Sequence, residues 1–174
     1  AFYCFCPAGQ APKIDLVCRE LPQAAVRERL AKGDPAVIRF RVPEDGPAVA
    51  FTDLLKGGLR FEPKEIGDFS IMRSDGMPLY NLSCVVDDHA MNISLVIRGD
   101  DHLSNTPKQI LLYQFFGYEP PQFIHLPLIL GEDGAPLSKR HGDTSVQAYR
   151  SRGFLPEALV NFLALLGWNP GTEE

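Results

Sequence analysis

The segment Leu137-Ser138-Lys139-Arg140-His141-Gly142 sets two adjacent cations beside a small hydroxyl and ends on a glycine. Lysine is a compact charge and arginine a planar fork of donors, so the pair suits the oxygens of a phosphate chain. Such charge speeds a displacement at phosphorus when it meets charge developing on those oxygens. The preceding Gly131-Glu132-Asp133-Gly134-Ala135-Pro136 is turn material, and a loop of this kind can close over a ligand and reopen. Taken alone, the segment also reads as an exposed basic loop.

A second concentration of polar chemistry is Arg98-Gly99-Asp100-Asp101-His102. It follows residues 93–97, an apolar and β-branched run expected to form a buried strand of an α/β sheet. After it comes Ser104-Asn105-Thr106-Pro107, where one of the first three residues is expected to cap a helix and the proline to sit just inside it. Ligands of open α/β sheets lie beyond the carboxyl ends of the strands, so the cluster is expected to face a pocket. The alternatives are a solvated loop, or a structural ion pair of Arg98 with Asp100 or Asp101.

The elements that must position these clusters follow from pattern. Residues 21–30 read as a helix with Pro22 in its first turn and Gly33 as its stop. Residues 36–42, 49–53, 59–61 and 69–73 read as strands separated by Pro- and Gly-rich turns, and 82–91 as a helix. The helix after Asn105 is expected to stop at Gly117, with a strand over 123–129 beyond it. Thr144 or Ser145 should cap a helix ended by Gly153, and Pro156 should open another ended by Gly167.

Composition narrows the setting. The chain has 174 residues, 45% apolar and 22% charged, with a net charge of −5, so a folded core is possible and a global basic field for coating nucleic acid is absent. No apolar run is long enough to span a bilayer and no signal peptide is visible. Cys4, Cys6, Cys18 and Cys84 do not make a small disulfide scaffold, which points to a reducing, cytoplasmic setting. The start at Ala1 fits a piece of a longer protein.

Several runs in order carry a resemblance. Arg73-Ser74-Asp75-Gly76, Pro78, Tyr80-Asn81, Val85-Val86-Asp87-Asp88, Val96 through Gln109, Ser138 through Gly142, Gly153 through Leu159 and Leu166-Gly167-Trp168 together resemble bacterial glutamyl-tRNA synthetases of class I. The resemblance spans essentially the whole chain. It implies an α/β fold: the second half of a Rossmann-type catalytic domain, an α/β acceptor-stem insertion, and a helical stem-contact segment. The expected division is 1–78 for the insertion, 79–130 for the catalytic half, and 131–174 for the KMSKS-type loop and the start of the helical segment.

The implied activity joins L-glutamate to tRNA(Glu) in two steps, through a glutamyl-adenylate made from ATP with Mg2+. Lys139, with Ser138 and Arg140 beside it, matches the loop that stabilises the ATP phosphates. Leu128 and Ile129 match backbone that holds the adenine. Arg98 matches the glutamate-binding arginine, a natural fork for a carboxylate. Tyr80 matches a tyrosine beside the substrate, His102 the edge of that pocket, and Asp101 a ribose or ammonium partner. Asp88 is expected near the tRNA 3′ end, and Arg27, Arg39, Arg41 and Lys56 are candidates for phosphate contacts, which position RNA without reading its sequence. Cys4, Cys6 and Cys18 resemble part of a zinc set, but Glu20 stands where a fourth ligand would complete it, and a structural zinc wants four. A glutaminyl-tRNA synthetase relative and a non-catalytic RNA- or protein-binding module of the same fold are the competing readings.

The family's other signature, a His-Ile-Gly-His-like motif, is not found in these residues, nor is an anticodon-binding domain, and the sheet is therefore expected to show an open edge. The missing N-terminal and C-terminal parts of the same enzyme are expected partners. The 174 residues alone are expected to make no adenylate. Measurable tRNA charging by this chain in isolation would refute that.

Overall fold

The strand and helix signals resolve into two small sheets and the helices that cover them. The computed structural model describes residues 1–5, 16–131, 133–137 and 145–165. In chain order they form β1 (Phe2–Cys4), α1 (Leu16–Arg19), α2 (Gln23–Ala31), β2 (Val37–Phe40), β3 (Val49–Asp53), β4 (Gly57–Phe61), α3 (Pro63–Ile66) and β5 (Phe69–Met72). Then follow α4 (Tyr80–Ala90), β6 (Leu95–Gly99), a 3-10 turn (Asp100–Asn105), α5 (Thr106–Phe116), β7 (Gln122–Leu126), α6 (Val146–Ser151) and α7 (Pro156–Leu165).

The smaller sheet has the order β1-β2-β5 and is antiparallel. The larger has the order β4-β3-β7-β6: β3 and β4 form an antiparallel hairpin, while β7 runs parallel to both β3 and β6. It therefore takes strands from both sides of the expected division at residue 78. Helix α5 is the crossover between the parallel strands β6 and β7. It buries Thr106, Gln109, Ile110, Leu112 and Tyr113, the helical spacing of a core-facing stripe. One core joins the two sheets, with Phe40, Val49, Phe69, Val85, Leu112 and Phe123 among its members.

Local chemistry explains most boundaries. Helix α5 ends where Gly117 adopts φ 69° and Tyr118 N–H reaches Tyr113 O at 2.8 Å, a left-handed cap that favours glycine. Ser145 caps α6 as expected, its hydroxyl accepting from Ala148 N. Pro22 stands at the cap of α2 rather than inside its first turn, and α4 begins at Tyr80, two residues earlier than expected.

Two expectations fail for physical reasons. Helix α5 has no side-chain cap, because its cap residue Asn105 is already helical and the chain enters from the 3-10 turn. The strand expected over 93–97 runs over Leu95–Gly99, and it is not buried on both faces: Val96 packs on the core while Ile97 is 58% exposed. Alternate residues of a strand face opposite sides, and only the side toward α5 is covered among the described residues. No described helix is long and apolar enough to cross a membrane.

The junction of β3 and β7 is made by side chains as much as by backbone. Leu54 N–H donates to Phe123 O at 2.9 Å. Asp53, 1% exposed, accepts from Leu55 N and Lys56 N on Oδ1 and from His125 N on Oδ2, which also lies 2.7 Å from His125 Nδ1. Burial pushes the Asp53 carboxyl up, but the His125 hydrogen bond and the two amides outweigh it and hold it below the usual carboxylate range. A carboxyl lowered in the folded state stabilises the fold above its unfolded value, near 3.8, and loses that contribution as pH falls through the folded value. Acid unfolding should therefore steepen below about pH 4. Asp53→Ala, which strands these donors, should cost on the order of 3 kcal/mol at neutral pH and flatten the acid limb when unfolding is followed against pH.

Candidate active site

The carboxyl end of β6 carries Arg98, and its guanidinium is held on three sides. Nε donates to His125 Nε2 at 3.1 Å, and Nη2 donates to Thr106 Oγ1 at 2.8 Å and to Gln109 Oε1 at 2.9 Å. Gln109 is held in turn, its amide donating to Asn81 Oδ1 at 3.2 Å. Sheet residues reach this point because Val96 and Arg98 on β6, and Phe123 and His125 on β7, lie on the face toward α5. The remaining edge, Nη1, meets only the Tyr80 hydroxyl among the described residues, at 3.4 Å. Tyr80 is half exposed. The Nε hydrogen and both Nη2 hydrogens are thus committed, and Nη1 is left to give a charge-assisted hydrogen bond to an anion beside Tyr80.

The alternative reading of Arg98, an ion pair with Asp100 or Asp101, is not what the structure shows. Asp100 Oδ2 pairs with Lys56 Nζ at 3.0 Å, and Asp101 Oδ2 lies 3.7 Å from His102 Nε2. Gly99 leaves room for its neighbours: a Cβ there would lie 2.5 Å from Asp101 Oδ1, which would have to turn aside, and 3.4 Å from a Leu128 methyl. His102 sits at the rim, its ring 5.4 Å from that of Tyr80 and its Nδ1 3.3 Å from Asn105 Nδ2. The site thus brings together Arg98, Tyr80, Asp101, His102 and Leu128.

Ile129 follows β7 and starts a tight turn. Leu137 N–H donates to Ile129 O at 2.7 Å, Gly131 N–H to Ala135 O at 2.8 Å, and Leu130 bridges Pro136. The turn returns the chain beside Leu128 and Ile129, both partly exposed, immediately before Ser138. Ser138, Lys139 and Arg140 themselves lie outside the described residues.

Helix α4 runs from Tyr80 at the carboxyl end of β6 toward its amino end. Cys84 and Asp88 follow Tyr80 at four-residue spacing on one helix face. Cys84 Sγ donates to Asp88 Oδ2 at 3.4 Å, as does the Tyr113 hydroxyl. Burial pushes the Cys84 thiol and the Tyr113 phenol up, and the Asp88 charge adds to it in both. Asp88 borders a cleft of about 560 Å3 with His89, Ser94, Glu119 and Gln122.

The basic candidates differ in what holds them. Arg27 is exposed. Arg39 donates to Asp68 O at 2.7 Å, Arg41 pairs with Glu20 at 3.0 Å, and Lys56 pairs with Asp100. Cys4 and Cys18 are buried, with α1 against β1. Cys6 lies outside the described residues, and no group of three metal-binding side chains occurs among those described. Sequence reading passed over Asp53, Thr106, Gln109 and His125, whose roles depend on contacts between distant segments.

A family model described as "tRNA synthetases class I (E and Q), catalytic domain" matches residues 7–174. A glutamate–tRNA ligase of Carboxydothermus hydrogenoformans is 49% identical over 187 residues, covering 100% of this chain and 39% of that protein. One of Heliobacterium modesticaldum is 54% identical over 170 residues, covering 98% of this chain and 34% of that protein. The crystal structure of a glutamate–tRNA synthetase from Elizabethkingia anophelis superposes with a TM-score of 0.75 at 35% identity, covering 88% of this chain and 34% of the other. The chain thus spans between a third and two fifths of the relatives it matches. The match over nearly all its residues, with the same α/β architecture, places the chain in the class I tRNA synthetase family of the E and Q type, within its catalytic domain.

Proposed function

We propose that these residues supply the amino-acid pocket and part of the ATP site of an enzyme that ligates L-glutamate to tRNA(Glu). The observation that carries the reading is the Arg98 guanidinium, held by His125, Thr106 and Gln109 with its Nη1 edge left toward Tyr80. Glutamate differs from most amino acids by a side-chain carboxylate, and a pre-oriented guanidinium with Nη1 left over donates to that group without reorganising. The relatives named as glutamate–tRNA ligases support the choice of substrate.

In the first step the α-carboxylate of glutamate attacks the α-phosphorus of ATP and pyrophosphate leaves. Arg98 holds the side-chain carboxylate so that the α-carboxylate is the reacting end. Lys139, with Ser138 and Arg140 beside it, meets charge developing on the phosphate oxygens, with Mg2+ accompanying ATP as substrate. The turn that pairs Leu137 with Ile129 supports this by leading the chain from the adenine side to that loop. Leu128 and Ile129 offer backbone to the adenine, and Asp101 and His102 line the rim toward ribose or the substrate ammonium. In the second step a hydroxyl of the terminal adenosine of the tRNA attacks the glutamyl carbonyl of the adenylate, the acyl–phosphate bond breaks and AMP leaves. Asp88 and the basic residues Arg27, Arg39, Arg41 and Lys56 are the surface offered to the RNA, and the cytoplasm is the setting.

Both roles separate kinetically in the full natural chain. Arg98→Ala should raise the KM for glutamate by about a hundredfold, as expected for losing a charge-assisted hydrogen bond to the substrate carboxylate, and leave the KM for ATP nearly unchanged. Lys139→Ala should lower kcat by about a hundredfold or more with a smaller change in either KM. ATP–pyrophosphate exchange at varied glutamate and ATP reads both, and an unchanged glutamate KM in Arg98→Ala would overturn the pocket assignment.

A further inference from the structure

We propose that Asp53 and His125 are positioning residues for the substrate carboxylate, acting through Arg98 by fixing which nitrogen of His125 carries the proton. The inference rests on the reading of Arg98 as the donor to the substrate carboxylate and adds the device that aims it.

The chain of contacts is continuous and buried. Asp53 Oδ2 lies 2.7 Å from His125 Nδ1, and His125 Nε2 lies 3.1 Å from Arg98 Nε and 2.9 Å from Thr106 Oγ1. His125 is 0% exposed and Asp53 1%. Arginine Nε has a hydrogen and no acceptor capacity, so Nε2 of His125 must be the bare nitrogen. The proton then sits on Nδ1, where the Asp53 carboxylate accepts it. An imidazole of the opposite tautomer would set N–H against N–H at Arg98 and turn the guanidinium away from its present plane. Thr106 and Gln109 restrain Nη2 alone, whereas His125 fixes the Nε end and hence the direction in which Nη1 points.

Asp53 is suited to this task because all its acceptor positions are committed. Oδ1 takes Leu55 N and Lys56 N, and Oδ2 takes His125 N together with Nδ1. Asparagine at this position has one amide nitrogen to place. On the Oδ1 side it opposes two backbone donors. On the Oδ2 side it opposes one and donates to Nδ1, which reverses the tautomer. The second placement strands fewer groups, so the near-isosteric Asp53→Asn is the variant that flips His125. Glutamine at 125 has no tautomer: its carbonyl oxygen can accept from Arg98 whatever residue 53 is.

The test measures KM for glutamate and for ATP by ATP–pyrophosphate exchange in the full natural chain, with thermal unfolding alongside. Asp53→Asn is expected to raise the glutamate KM about tenfold or more, as for a lost hydrogen bond to a charged group, with the ATP KM little changed. In the His125→Gln background the same substitution is expected to add nothing further to the glutamate KM. A glutamate KM raised by the same factor in both backgrounds, or both KM values rising together with loss of thermal stability, would make the pair merely structural and overturn the inference. Arg98→Lys in the same assay separates the two layers. An unchanged glutamate KM there removes the carboxylate reading and this inference with it, while a raised one alongside an unaffected Asp53→Asn removes this inference alone. Should Asp53→Asn fail to fold, His125→Asn keeps a group at the Nδ1 position and withdraws the acceptor from Arg98. The inference then stands if its glutamate KM rises selectively and falls if it does not.

Discussion

A single carboxylate, that of Asp53, ties the turn after β3 to the interior of β7. It closes the turn after β3 through the Leu55 and Lys56 amides and receives both the backbone and the ring of His125 on β7. An ionised group this deeply buried is tolerable only when its lone pairs are satisfied, and here the donors come from two segments of chain. The pairing of β3 with β7 is short, with Asp53 opposite Phe123 as its one register position. The carboxylate therefore does much of the work that a longer ladder would do.

The same contact sets the order around Arg98. From Asp53 the ring of His125 is fixed, from His125 the guanidinium of Arg98, and from Arg98 the edge that faces Tyr80. A second tie, Lys56 to Asp100, bridges the β3–β4 turn and the 3-10 turn that follows Arg98. Binding groups are most exact when their own rotamers are locked by neighbours. Here the lock is distributed over β3, β7 and α5, so Arg98 needs three elements in place at once.

What could be read from sequence and what could not divides along distance in the chain. The position of Arg98 at a strand's carboxyl end was legible, because a β-branched run followed by a polar cluster and a helix start is a local pattern. The stop of α5 at Gly117 and the Ser145 cap were legible for the same reason. Thr106 was considered as a helix cap, but its hydroxyl lies within reach of His125 and Arg98 instead, and no local rule reveals that. Asp53 read as the last residue of a strand and His125 as an interior strand position, both correctly. Their hydrogen bond crosses 72 residues, and neither residue carries a mark of the other. The exposure of Ile97 was missed because an apolar run does not say how many of its faces are covered.

That 72-residue separation has a consequence for how the protein is made. Synthesis proceeds from the amino end, so β3 and β4 leave the ribosome as a hairpin well before β7 exists. Asp53 must wait with its Oδ2 side turned to water until His125 emerges. Contacts of such long range close late, because the loop between them must be ordered first. Helices α4 and α5 and strand β6 are complete by then, with Arg98 on its strand but its Nε without an acceptor on β7. The arrangement around Arg98 is therefore not inherited from its local segments but assembled only once His125 has been made and its imidazole can lie between carboxylate and guanidinium.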